Sequence, residues 1–537
     1  MKKSIIILLL IFTSLLNTKS FSKQKEDLRI ALVYPKITKS VLYKNDESFR
    51  PTESWELFFM RNQYAYEMIN DDDMGSISDN IDVVIIPSMT VINEEIMTDL
   101  EDLLEQGKGI LITGDFAEYN DEGTRISDDY QKKILGFRIA RLDNKSKLSV
   151  NHSLGGDTPL SIGLKPGQKI LLQGKPVLYY SYDLSVGCSQ PGNYILDKGE
   201  FSGLVMNFSQ GKRIIWYGFN VDQIIGGADR RFLYNSFNWL SSAPQAFISS
   251  WPDGFNCAAI IYKNINHASD VYNEQYALNV SLKINYFISP GIIEDSRYIL
   301  NELKNPGNIN LLWDDFFFSG LSDNKKTEWL NSVKPLLESY TDQNCSGIYS
   351  YGGFYESNIY KVLNKTGYSF ILSSGYSDSY TCDYDSTYQI YKFYKSNSPG
   401  PGFISRVEFV LDQGGIGYVN IDSLGEKRLN FLESRKCWTT TFSDLLKWVK
   451  NRDKINITIN TYKKDNYDII ISNRDSVPVT NTVIWISIPE SNGQARLEKS
   501  SDQLRLSFDY AKNMYSLKIS SIDEYQTISL KVITQNH

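Results

Sequence analysis

Leu312-Trp313-Asp314-Asp315-Phe316-Phe317 opens the stretch, running on to Ser374, that decides how this chain folds. It reads as the end of a strand. Gly320-Leu321-Ser322 then opens a helix carrying Trp329, Leu330, Val333, Leu336 and Leu337. Gly347-Ile348-Tyr349-Ser350-Tyr351-Gly352-Gly353-Phe354-Tyr355 follows as a strand with a glycine turn. After a second helix, Gly367-Tyr368-Ser369-Phe370-Ile371-Leu372 closes the stretch as a third strand. Strands alternating with helices imply a parallel sheet covered by helices.

Working outward, Cys257-Ala258-Ala259-Ile260-Ile261-Tyr262 and Ile284-Asn285-Tyr286-Phe287-Ile288 precede this stretch as strands. Gly417-Tyr418-Val419-Asn420-Ile421 and Trp438-Thr439-Thr440-Thr441-Phe442 follow it. In this order the elements resemble the NodB-type polysaccharide deacetylases, the carbohydrate esterases of family four. There, a strand ending in His-x-x-x-His precedes a helix, an Arg-Pro-Pro turn and a Gly-Tyr-x-x-Ile-Leu strand. The resemblance covers about 200 residues. For residues 254–454 it implies an irregular (β/α) barrel with its site at the C-terminal ends of the strands.

Members of that family remove N- or O-acetyl groups with a divalent metal held by one Asp and two His. A second Asp acts as base and a late His as acid. Here Gly254 to Ser269 holds no Asp or Glu, and the paired aspartates fall on Lys263 and Asn264, or one residue later. The metal histidines fall on Trp313 or a neighbour and on Phe316 or Phe317, the turn arginine on Tyr349, and the acid histidine on Asp422. The resemblance therefore implies degenerate catalytic positions at Lys263, Asn264, Trp313, Phe317, Tyr349 and Asp422, with no metal or other cofactor. An alternative metal set is Asp314, Asp422 and His267, since carboxylates and imidazole suit zinc or manganese. Trp313, Tyr349, Tyr351 and Tyr355 are candidate sugar-binding rings, aromatic faces being good stacking platforms. The same rings could instead fill the space that metal and water occupy in the family.

The rest of the 537 residues frames this reading. Hydrophobic content is 42% and charged content 22%, as in ordinary globular proteins. A net charge of −7 argues against nucleic acid as a partner. Histidine is confined to His152, His267 and His537. Lys2 and Lys3 precede an apolar run from Ile5 to Leu16, shorter than the ~20 residues that span a bilayer. Residues 1–22 thus read as a secretory signal, with cleavage near Ser20 or Ser22, and no later segment is apolar enough to span. The expected location is secreted or periplasmic; a retained signal acting as an anchor is the alternative. The five cysteines lie at 188, 257, 345, 382 and 437, with no Cys-x-x-Cys spacing. Cys257 starts the first barrel strand and Cys437 the last. In a barrel that nearly closes, these strands are neighbours, which makes Cys257–Cys437 a candidate disulfide.

Residues 28–243 alternate strand and helix signals. Arg29 to Tyr34 and Ile81 to Pro87 read as strands, Asn93 as the cap of a helix from Glu94 to Gln106, and Gly109 to Gly114 as the next strand. The stretch Val83 to Gly114 and that from Gly211 to Leu240 resemble the glutamine-amidotransferase-like fold in its non-catalytic form. Catalytic members carry a cysteine on a tight turn; here the turns offer Ser88 and Gly114-Asp115. Asp115 and Glu118 read as a carboxylate pair or as solvated loop residues. Residues 147–208 form a β-rich insertion without assignable chemistry, and Pro244 to Gly254 reads as a linker. Residues 455–537 show short alternating strands, as in an antiparallel β-sandwich. That segment reads as a structural cap or a carbohydrate-binding module.

The expectation is a polysaccharide-deacetylase-like protein, catalytically inactive, that binds or organises an envelope or extracellular polysaccharide. One alternative is an active metal-dependent polysaccharide deacetylase with a rearranged site. The other is an interaction scaffold for envelope proteins that binds no sugar.

Overall fold

The computed structural model describes residues 28–142, 149–173, 176–196, 199–224, 231–272, 283–303, 306–340, 344–350, 357–374, 379–395, 403–421, 430–463, 465–488, 494–498 and 504–534. The leader, Tyr351, Tyr355 and Asp422 lie outside the described residues. The described residues form a mixed α/β protein with two nine-stranded sheets, two four-stranded ones and a two-stranded one.

In the first nine-stranded sheet, Ile30–Tyr34 lies between Tyr66–Asn70 and Val83–Val91, and Gly109–Tyr119 and Arg213–Tyr217 follow, all parallel. Val83–Val91 and Arg213–Tyr217 are buried at every position, as parallel strands covered on both faces must be. Asn93 caps the helix Glu94–Glu105, its side chain accepting from the Ile96 N–H at 2.9 Å. The β-rich insertion is not a separate body. Gly199–Asn207, Cys188–Leu196, Ser149–Leu154 and Gln168–Gln173 extend the same sheet as antiparallel strands.

The linker expectation needs correction. Gln245–Ile248 pairs with Val479–Ser487 and so forms an edge strand of a C-terminal sheet, with Gln245 opposite Ser487. That sheet continues through Met514–Ile522 to Arg505–Asp509. It shares one core with the other four-stranded sheet, where Ile469 and Val532 meet Ile484, Ile486 and Leu517.

The central nine-stranded sheet curls into a half-barrel. Its order runs Cys382–Asp385, Ile390–Lys395, Phe370–Ser374, Gly347–Ser350, Pro306–Trp313, Ile284–Ile288, Cys257–Ile265, Ile416–Asn420. Cys437–Thr440 pairs with the first half of Cys257–Ile265, and Ile284–Ile288 with its second half. Every pairing is parallel except that of Cys382–Asp385. Alternation sorts the side chains into two layers. Ile260, Tyr262, Phe287, Leu312, Tyr349, Leu372, Phe393 and Tyr418 pack together inside the curl. Their neighbours Ile261, Ile288, Trp313, Ile348, Ile371 and Val419 face the surrounding helices. Gly347 is required where it stands, because a Cβ there would fall 1.7 Å from the Phe370 ring.

Candidate functional site

The C-terminal ends of the central strands form the candidate site, and strand parity decides who reaches it. Asn264 follows Tyr262 by two residues, Lys395 follows Phe393, and Asn420 follows Tyr418, so all three continue the interior layer towards the mouth. Asn264 is buried, while Asn420 and Lys395 are half-buried. Lys395 Nζ donates to the Tyr262 hydroxyl at 2.5 Å and to the Tyr349 hydroxyl at 2.7 Å. The two phenol rings meet edge-on, with centroids 5.8 Å apart, and each is only 1% exposed. Burial pushes the Lys395 ammonium down to about 8, the cost of holding a charge away from water.

The sequence-predicted positions divide between the two layers. Tyr349 and Asn264 lie inside the curl. Lys263 has the opposite parity, beside Ile261 and Ile265. Trp313 is on the helix side too, 5% exposed, stacked on Phe318 at 3.9 Å, with its indole N–H donating to Asp315 at 2.8 Å. Phe317 packs against Trp329 at 5.1 Å. Trp313 and Tyr349 are therefore core rings in the described structure and do not line an open groove.

Asp314 caps the short helix Asp315–Ser319, accepting from the Phe316 and Phe317 amides at 2.9 and 3.2 Å. His267 is exposed, and its backbone N–H donates to Asp270 at 2.8 Å. Among the described residues, no three His, Cys, Asp or Glu side chains group as a metal site. Cys257 and Cys437 are register partners on paired strands, with Sγ atoms 2.6 Å apart.

Sequence reading missed Lys395. Its signal was the alternation Tyr391-Lys392-Phe393-Tyr394-Lys395, which puts a lysine in phase with a buried phenylalanine at a strand end. It also misplaced Asp115 and Glu118, which are strand residues of Gly109–Tyr119 and not loop residues. Thr90 donates to Asp115, which Ser88 also bonds. Ser88 adopts φ 49°, and a Cβ on the adjoining Gly114 would lie 2.9 Å from its Oγ. Burial pushes Asp115 up, and burial with the Asp115 charge pushes Glu118 up.

No protein-family model and no curated protein matches the sequence. Among solved structures, a β-galactosidase from Rahnella sp. R3 aligns at 12% identity and TM-score 0.30, over 41% of this chain and 31% of that one. A putative ThuA-like protein from Bacteroides uniformis aligns at 15% identity and TM-score 0.31, over 40% of this chain and 92% of that one. A putative polysaccharide deacetylase from Mycobacterium smegmatis aligns at 13% identity and TM-score 0.28, over 38% of this chain and 94% of that one. The chain thus spans about a third of the β-galactosidase. Likenesses this remote assign no activity. No helix among the described residues is long and apolar enough to cross a membrane.

Proposed function

We propose that the protein is a polysaccharide-deacetylase-like barrel that binds an envelope or extracellular polysaccharide at its mouth without deacetylating it. In this reading residues 28–243 form an amidotransferase-like domain, 254–454 the barrel and 455–537 a β-sandwich. A cleaved leader sends the protein outside the membrane. The observation that carries the reading is the Lys395 ammonium, held by the Tyr262 and Tyr349 hydroxyls inside the strand ends. A positive charge there opposes a divalent cation, whereas the half-buried Lys395 ammonium and Asn420 amide suit the hydroxyl and carbonyl oxygens of an acetylated sugar.

Calorimetry with acetylated and deacetylated glycan polymers tests it. Wild type should bind in the micromolar to millimolar range, roughly −8 to −4 kcal/mol, and Lys395→Met should weaken binding. Equal binding by both proteins, or none by either, would shift the reading to the scaffold. The rearranged-enzyme alternative has one observation in its favour: an amine lowered to about 8 is a serviceable proton acceptor near neutral pH. Acetate release abolished by Lys395→Met would establish it.

A further inference from the structure

A cavity of about 250 Å³ lies towards the N-terminal end of the central strands, where they meet the start of Val479–Ser487. Trp438, in its wall, is the register partner of Ala258 on Cys257–Ile265. Asn264, at the mouth, stands further along that same strand. The stretch from 258 to 264 spans about 20 Å at ~3.3 Å per residue, so the two places are distinct.

Three indoles meet beside this cavity. The Trp438 ring centre lies 6.3 Å from that of Trp251 and 6.4 Å from that of Trp448. Trp251 and Trp448 are buried, and their N–H groups donate to the Gly414 and Ser250 carbonyls at 2.8 and 2.9 Å. Trp438 differs. It is half-buried, and its N–H has no acceptor among the described residues. Two indoles thus serve the core, and the third leaves part of its ring to the cavity.

The helix Phe442–Arg452 supplies a polar face beside that ring. Asp444, Lys447, Trp448 and Asn451 follow at i, i+3, i+4 and i+7, so they share one side of the helix. Thr441 caps it, its hydroxyl accepting from the Asp444 N–H at 3.1 Å and donating to the Asp444 carboxylate at 3.1 Å. Asp253 and Asn481 add to the lining, at φ 52° and 56°, a region these two residue types tolerate. Among the described residues, no group bonds the side chains of Asp253, Lys447, Asn451 or Asn481. Asn451 is half-buried and the other three are exposed, so all four are within reach of a ligand.

This lining selects among ligands. One half-buried ring is a platform and not a cage, which tells against a quaternary ammonium. Two carboxylates, Asp253 and Asp444, against the single Lys447 ammonium oppose a phosphate. The amides, carboxylates and ammonium offer acceptors and donors around the ring. A sugar ring matches both parts, with an apolar C–H face to stack and hydroxyls at its edge. The volume is below the ~300–1,000 Å³ of pockets that enclose whole ligands, which suits one ring of a chain whose remainder stays in solvent.

We propose that this cavity is a second glycan subsite, which stacks one neutral sugar ring on Trp438 and bonds its hydroxyls through Asn451, Asn481 and Asp253. The inference rests on the glycan reading above but names a site towards the other end of the strands.

The test is calorimetric titration of the full chain with chitotetraose and cellotetraose, with galacturonate and glucosamine tetramers as anionic and cationic controls. Proteins compared are wild type, Trp438→Ala, Asn451→Ala and Lys395→Met. Asn451→Ala removes an amide that bonds no described residue and puts a good helix former in its place, so the fold stays intact. The expected result is binding of a neutral tetrasaccharide, weakened about tenfold by Trp438→Ala and about threefold by Asn451→Ala. Weakening by Trp438→Ala with Asn451→Ala at wild-type affinity would mark a ring that only supports the core, and would overturn the subsite. Weakening by Lys395→Met alone would also overturn it and leave the mouth reading standing. Weakening by Trp438→Ala and Asn451→Ala without Lys395→Met would establish the subsite and remove the mouth, and weakening by all three would establish both. Tighter binding of either charged control would overturn the neutral subsite, and no binding at all would overturn both.

Discussion

The first and central sheets carry opposite charges at the same topological place, the C-terminal ends of parallel strands. The first presents Asp115 and Glu118, the second Lys395. Burial acts on both, pushing the carboxyls up and the ammonium down, so each fold region disfavours its own charged form. Their partners differ. Asp115 accepts from hydroxyls and faces a second carboxyl, whereas Lys395 donates to two phenols that are themselves core residues. The first mouth is thus an acceptor and the second a donor. On the proposed reading, a ligand rich in acceptor oxygens belongs at the central mouth.

The comparison can be broken most sharply through covalent chemistry. The central sheet has a candidate tie, Cys257–Cys437, while the first sheet's strands carry only Cys188. A disulfide closing 180 residues would stabilise by ~4–5 kcal/mol on the chain-entropy model. Non-reducing peptide mapping should find the linked pair, and reduction should lower the unfolding midpoint. Alkylation of Cys257 and Cys437 themselves in the denatured, unreduced protein would remove the tie.

Next in size is Tyr349→Ala. The ring packs against Phe287 at 5.3 Å and against Tyr262, so truncation should cost ~3–5 kcal/mol in denaturant unfolding. A cost under about 1 kcal/mol would mean that the ring faces an open groove after all.

The smallest effects are pH slopes of opposite sense. The Asp115 value lies above its unfolded one, so its ionisation destabilises progressively as pH rises through that range. The melting temperature of Asp115→Asn relative to wild type should therefore rise from pH 4 towards neutrality. The Lys395 value lies below its unfolded 10.5, so the penalty is full below about 8 and is lost as pH rises towards 10.5. The advantage of Lys395→Met should shrink across that window. Parallel slopes in the two variants would erase the contrast.

Much of the architecture was legible in the sequence because strand and helix periods are local. Asn93 marked its helix start, and the apolar runs at Val83, Gly109 and Cys257 marked parallel strands. What failed was phase and partnership. Whether Lys263 or Asn264 points inward depends on where the pleat begins, and a one-residue shift exchanges the two layers. That shift moved Trp313 from the site into the helix-facing core. Gln245–Ile248 read as a linker because a short edge strand is defined by its partner, 242 positions away at Ser487, and not by its own composition. Alternation alone marked Lys395, because its meaning comes from Tyr262 and Tyr349, contributed by strands far off in the chain.

The central claim, binding without deacetylation, is tested most directly by proton NMR of acetylated chitotetraose mixed with the full chain and a divalent metal. The account predicts saturation transfer from protein to the sugar protons and an acetyl signal that holds its intensity. A free-acetate signal that grows with metal, or no saturation transfer at all, would contradict it.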